Sequence, residues 1–368
     1  MRLFDPFFYE KAHLLVILVL TIYVFFSVYN KNAIRLLSRP NRNYLVLIHI
    51  YAIVFILVVG LRPISAAFGD TVTYARTYDF FSKSPGGVII ERDSLFYYLM
   101  WLCSQFMSVN IFFFLLEVLY VVPIIIACSR FMKNNSDIGL LFCFAAFSFF
   151  TYGTNGLRNG VSLSLVILAM TLIGGNLFKK VLCAVFSVIA VAIHASAALP
   201  VICMLVAFFV RKPRIMFIFW GLSIVISLIA GNSIASFFAS LGFDDRLSDY
   251  ILVDVDENLF SHVGFRWDFL LYSAVPVLLG WYVVLKKKIY DKVFLMLLGT
   301  YMYANAFWIM VIRAEYSNRF AYLSWFLYPI VIAYPLLRLK IWPKTQGRKC
   351  AVIMAGYYAF SFLMSFVL

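Results

Sequence analysis

Apolar residues fill this chain in long unbroken runs rather than in stripes. The runs cover 13–29, 44–61, 109–129, 138–152, 159–176, 180–194, 196–210, 214–230, 268–285, 291–312, 320–339 and 350–368, and short polar stretches separate them. A helix needs about 20 apolar residues to cross the hydrocarbon core of a bilayer. The pattern therefore predicts an all-α polytopic membrane protein with about twelve segments, some short or re-entrant. The aromatic stretch 94–107 is too short to span and predicts an interfacial or re-entrant helix. No internal repeat or soluble domain interrupts the series, so 1–368 reads as one integral membrane domain.

Composition agrees. Of 368 residues, 64% are hydrophobic and 13% charged, with a mean hydropathy of +0.93. That excludes a soluble domain of this size. The net charge of +14 would suit nucleic acid, but the distribution of the charges argues for topology instead. All six cysteines fall in or beside apolar runs and read as small core residues. No metal-ligand spacing occurs, and no cofactor is expected. Asp5 and Glu10 precede the first run and no small-residue cleavage site follows it, so it reads as a retained span.

With twelve crossings, the loops on one side carry 20 Lys and Arg but only Asp137 and Asp291 as acids. The other side carries 11 Lys and Arg with 14 Asp and Glu. The positive-inside rule makes the first side cytoplasmic. Both termini then face outward. Fusing 180–210 into one helix would scramble every later loop, so the segment reads as two short helices turning at His194-Ala195-Ser196. The outer loops 62–108 and 231–267 carry short amphipathic helices. Nine of the 11 outer cations are Arg, the residue suited to bidentate recognition of phosphate or carboxylate.

Several outer residues are candidates for chemistry. Asp70, Tyr74 and Tyr78 follow i, i+4, i+8 spacing on one helix face. Asp70 either caps that helix or presents a carboxylate to a ligand. Glu91 and Asp93 precede the next helix, where acids commonly serve its dipole. Arg158 sits in a Gly/Asn-rich turn at a helix start; it either holds an anion there or snorkels to the interface. His194 is either a proton-transfer group or a hydrogen-bonded packing residue. Arg319 opens a later helix as Arg158 does, and could equally be part of a surface pair with Glu315. Arg62, Arg158 and Arg319 at outer span edges predict a convergent cationic pocket for a phosphorylated, membrane-held ligand.

The order of these motifs resembles the EpsG-like branch of the Wzy-type polysaccharide polymerases. The residues that carry the likeness are Arg62…Gly69-Asp70…Tyr74, Glu91, Leu157-Arg158-Asn-Gly-Val-Ser162, Ile193-His194-Ala-Ser196-Ala197 and Arg319. The resemblance implies a bacterial inner-membrane glycosyltransferase with a fold similar to the GT-C class. Such enzymes polymerise undecaprenyl-pyrophosphate-linked repeat units at the periplasmic face, as in O-antigen or capsule synthesis. Their partners would be the lipid-linked glycan, the bilayer, a chain-length regulator and a flippase, with no nucleic acid. On that reading Arg158, Arg319 and Arg62 bind pyrophosphate. Asp70, His194 or Glu91 assists the acceptor hydroxyl, Tyr74 and Tyr78 stack on sugars, and no metal is needed. The alternative is a flippase or transporter for the same lipid-linked glycan. It predicts internal symmetry and mid-span cations, and the sequence has neither.

Overall fold

The computed structural model describes residues 6–38, 42–84, 93–240, 265–313 and 318–367, and all regular structure among them is helical. Among the described residues, six helices are long and apolar enough to cross a membrane: Phe8–Tyr29, Val109–Phe144, Pro213–Gly231, Trp267–Lys286, Lys292–Met310 and Arg319–Arg338. Val46–Gly60, Ser94–Ser104, Leu157–Met170 and Ala195–Val210 are shorter apolar helices. The chain is a membrane protein.

Side-chain exposure supports that conclusion. In α1 (Pro6–Tyr29), Ile17, Leu20, Val24 and Val28 are buried at helical spacing, while Leu15, Val19, Ile22 and Phe26 are exposed, Phe26 by 74%. A face this apolar and this open belongs against lipid.

Contacts divide the chain into two units, Met1–Ala197 with Ala333–Leu368, and Ala198–Ile332. The first unit contains α2 (Ala33–Ser38), α3 (Arg42–Gly60), α4 (Thr71–Ser82), α5 (Ser94–Ser104), α6 (Val109–Met132), α7 (Ser136–Phe144), α8 (Phe147–Thr154), α9 (Leu157–Met170) and α10 (Leu177–Ile193). Its middle is the stack α3–α6–α9–α10, and the C-terminal helix Gln346–Val367 packs against α1. His13 fixes α1 within this unit. Its Nε2–H donates to the Phe144 carbonyl, which leaves Nδ1 to accept from the Tyr51 hydroxyl.

The span expected over 138–152 is two short helices, α7 and α8. The chain is extended at Ala146 between them (φ −69°, ψ 129°). The break lets Phe144 and Phe149 meet edge to face, 4.9 Å between centroids. The helix break expected near His194 is present: His194 itself is extended (φ −150°, ψ 112°) and ends α10.

The second unit centres on Lys292–Met310, with Ala198–Val210, Pro213–Ser240 and Asn318–Trp325 packed around it. Its interior carries a satisfied polar network. Trp220 Nε1 donates to Asn305 Oδ1, Asn305 Nδ2 donates to Ser324 Oγ, and Trp325 Nε1 donates to Ser273 Oγ. A buried amide with both ends partnered fixes the register of the helices it joins.

Candidate functional site

A single buried carboxylate organises the candidate site. Asp93 stands immediately before α5, at φ 49° and ψ 41°. That left-handed conformation is one that Asp tolerates better than most residues. Its side chain gives no cap to its own helix and reaches other elements instead. Oδ1 accepts from the Ala195 backbone N–H at 2.9 Å. Oδ2 accepts from Arg158 Nη1 at 2.5 Å and from His194 Nδ1 at 3.2 Å. The Asp93 side chain is only 3% exposed.

Burial by itself would raise the Asp93 pKa. The hydrogen bond and charge of His194, the Ala195 amide and the Arg158 charge outweigh it and hold the carboxyl down at about 2. Asp93 is therefore an anion at any physiological pH and can only accept hydrogen bonds. It follows that the His194 nitrogen facing it, Nδ1, carries a hydrogen. In a neutral imidazole the lone pair is then on Nε2, turned away from Asp93.

Arg158 lies in the first turn of α9. Besides Asp93, it donates from Nε to the Tyr74 hydroxyl at 3.1 Å. Its guanidinium lies over the rings of Tyr74 and Tyr97, 5.8 and 5.6 Å from their centroids. Nη2 makes no hydrogen bond among the described residues. Among the described residues the cation is thus oriented by three side chains and keeps unspent N–H donors. An arginine held this way loses little freedom when it meets an anion. The elements converge because α5 packs against both α4 and α10, and α9 packs on α10.

The arrangement brings together three residues expected from sequence: Arg158, His194 and Tyr74. Asp70 is close in chain but plays a different part. Its carboxylate is exposed and makes no cap bond, and its backbone N–H donates to Asn155 Oδ1 at 3.0 Å. Gly69 is required at this turn. It adopts φ 60°, and a Cβ there would sit 2.2 Å from Asn155 Oδ1.

Arg62 was expected in an open cationic pocket, but it is buried, 1% exposed. It donates to the Val59 and Thr154 carbonyls and to Thr71 Oγ1, and its guanidinium lies between the rings of Phe68 and Phe113. Its charge faces the buried Glu117. Gly153 makes room for that acid, since a Cβ at 153 would lie 2.6 Å from Glu117 Oε1. Through the Val59 and Thr154 carbonyls, Arg62 ties the end of α3 to the end of α8. Tyr74, expected as a sugar platform, is buried against Phe96, and so is the other expected platform, Tyr78. Its hydroxyl donates to the Met107 carbonyl at 2.8 Å and its ring packs on Phe112. Arg319 belongs to the second unit, exposed at the start of Asn318–Trp325. Glu91 lies outside the described residues.

Sequence reasoning passed over Asp93 and Tyr97. Asp93 looked like an ordinary acid before a helix. The available signal was its position two residues after Glu91, which the motif series includes.

A sequence profile of the EpsG family matches residues 45–368. The chain belongs to the EpsG family. The match takes in Arg62, Asp93, Arg158 and His194 alike. Membership in the EpsG family points to a membrane polysaccharide polymerase with glycosyltransferase-like activity. No curated protein and no solved structure matches the chain.

Proposed function

We propose that this EpsG-family protein is a Wzy-type polymerase of undecaprenyl-pyrophosphate-linked repeat units. It works at the periplasmic face of a bacterial inner membrane, with about twelve membrane segments in a GT-C-like arrangement. The supporting observation is that one carboxylate, Asp93, holds both a cation, Arg158, and an imidazole, His194. Transfer of a glycan from a pyrophosphate carrier can use both, the cation at the leaving group and the imidazole at the acceptor hydroxyl.

The acceptor hydroxyl gives its proton to His194 Nε2 as its oxygen bonds to the anomeric carbon of the growing chain. The bond from that carbon to the pyrophosphate oxygen breaks, and undecaprenyl pyrophosphate leaves with the electron pair. Negative charge grows on the departing oxygen. The unspent donors of Arg158 stabilise it without reorganising, because Asp93, Tyr74 and Tyr97 already fix the guanidinium. Asp93 holds the Nδ1–H tautomer and stabilises the imidazolium formed during the step.

The test is a strain whose only copy carries His194→Gln, with its surface glycan resolved by size. Loss of general-base assistance lowers the rate about 10²–10⁴-fold. The ladder should collapse to single repeat units while the protein still inserts. A normal ladder would remove His194 from the reaction.

A further inference from the structure

A second feature lies at the other end of the turn that presents Arg158. A cavity of about 200 Å³ opens between α1, the loop before α4, and the end of α8. Glu10, Phe68, Gly69, Phe150, Thr151 and Asn155 are among its lining residues. Asn155 precedes Arg158 by three residues, so their Cα atoms are at most about 11 Å apart.

The groups around this cavity have spare hydrogen-bonding capacity. Asn155 uses Oδ1 on the Asp70 N–H, and its Nδ2 makes no hydrogen bond among the described residues. Neither the Glu10 carboxylate nor the Thr151 hydroxyl has a partner among them. The cavity therefore offers a charged acceptor, a hydroxyl and amide donors beside the buried rings of Phe68 and Phe150. That mixture suits a ligand with several hydroxyls and one apolar face. A carboxylate in the wall disfavours phosphate. The size also restricts the ligand: drug-sized sites run to roughly 300–1,000 Å³, and this one is smaller, near the scale of a single sugar ring.

We infer that this cavity is a subsite for one neutral pyranose of the acceptor repeat unit, held by Glu10, Thr151 and Asn155. The inference rests on the polymerase reading above and adds the acceptor side to it. The turn 155–158 then sorts the two substrates by charge. Its arginine end takes the pyrophosphate of the donor, and its cavity end takes an uncharged sugar. The Asn155 bond to the Asp70 N–H couples the cavity to the start of α4, the helix that carries Tyr74.

Glu10→Gln and Thr151→Trp test the assignment, the second by filling the space. Each is placed as the sole copy in cells, and each full-length protein is purified in detergent. Surface glycan is resolved by size, and farnesyl pyrophosphate serves as a soluble probe of the anion site by thermal shift. Losing a hydrogen bond to a charged group lowers chain extension by about ten- to a hundredfold. Both variants should therefore give shortened chains while keeping the wild-type shift with farnesyl pyrophosphate, which also shows that they are folded. Normal ladders in both variants would overturn the subsite and leave the polymerase reading standing. Loss of the probe shift in Glu10→Gln would also overturn it, by placing Glu10 at the pyrophosphate end. A wild-type protein that gives no shift, together with a normal ladder when the gene is deleted, would remove the polymerase reading and the subsite with it.

Discussion

Replacing Arg158 with alanine is expected to lower chain extension by about 10²–10³-fold, the usual loss when one preorganised donor to a developing anion is removed. In cells this reads as loss of the polymer ladder while single-unit surface glycan persists. Two effects combine at this position. The guanidinium no longer meets the leaving pyrophosphate, and Asp93 loses its 2.5 Å partner. Arg158→Lys separates charge from geometry. A lysine keeps the charge but cannot donate to Asp93, to the Tyr74 hydroxyl and to a phosphate in one plane. Its ladder should be as deficient as that of the alanine variant. Full activity in Arg158→Lys would mean that a point charge suffices. Loss of single-unit glycan along with polymer would instead favour transport of the lipid-linked unit.

Asp93→Asn should be nearly as damaging, although Asp93 itself touches no substrate in the proposed reaction. An amide is close to a carboxylate in size but is neutral, and one of its ends donates. It cannot accept from Arg158, His194 and the Ala195 N–H together. An unpaired cation and an imidazole free to take the other tautomer would remain. The expected loss is about 10²–10⁴-fold in chain extension. The two proteins should also differ in acid stability. Asp93 has its pKa lowered to about 2 in the folded protein, against about 4 when unfolded. Its ionised form therefore contributes stability that is complete above about pH 4 and fades as pH falls toward 2. Thermal unfolding in detergent from pH 6 to pH 2.5 should show the wild-type advantage over Asp93→Asn shrinking across the lower half of that range. A constant difference would mean that the Asp93 charge does not stabilise the fold.

Much of this structure was legible in residue order, because membrane helices announce themselves by run length and by the polar residues that end them. The break at His194 followed from counting positive charges loop by loop. The division of 138–152 into α7 and α8 did not follow, since an uninterrupted apolar run gives no sign of where the backbone turns within protein. Arg62 and Arg158 look alike in sequence: each is an arginine at the edge of a span. One is buried against carbonyls and aromatic rings, and the other keeps donors to spare among the described residues. The difference lies in neighbours contributed by distant segments, Thr71 and Thr154 for Arg62, and Asp93 and Tyr74 for Arg158. Asp93 was hidden for the same reason. Helical periodicity indicates which face turns inward. It does not indicate that an acid before α5 will meet a histidine 101 residues later.

The most direct measurement is a mutant cycle on Asp93 and His194. Chain-extension rates are compared for wild type, Asp93→Asn, His194→Gln and the double variant, with protein levels matched. Residues that work as one unit are strongly non-additive. If Asp93 acts by holding His194 and Arg158 in place, the double variant should be about as slow as the slower single variant. A double variant whose loss equals the product of the two single losses would show that Asp93 and His194 act independently, and would contradict a site organised by one buried carboxylate.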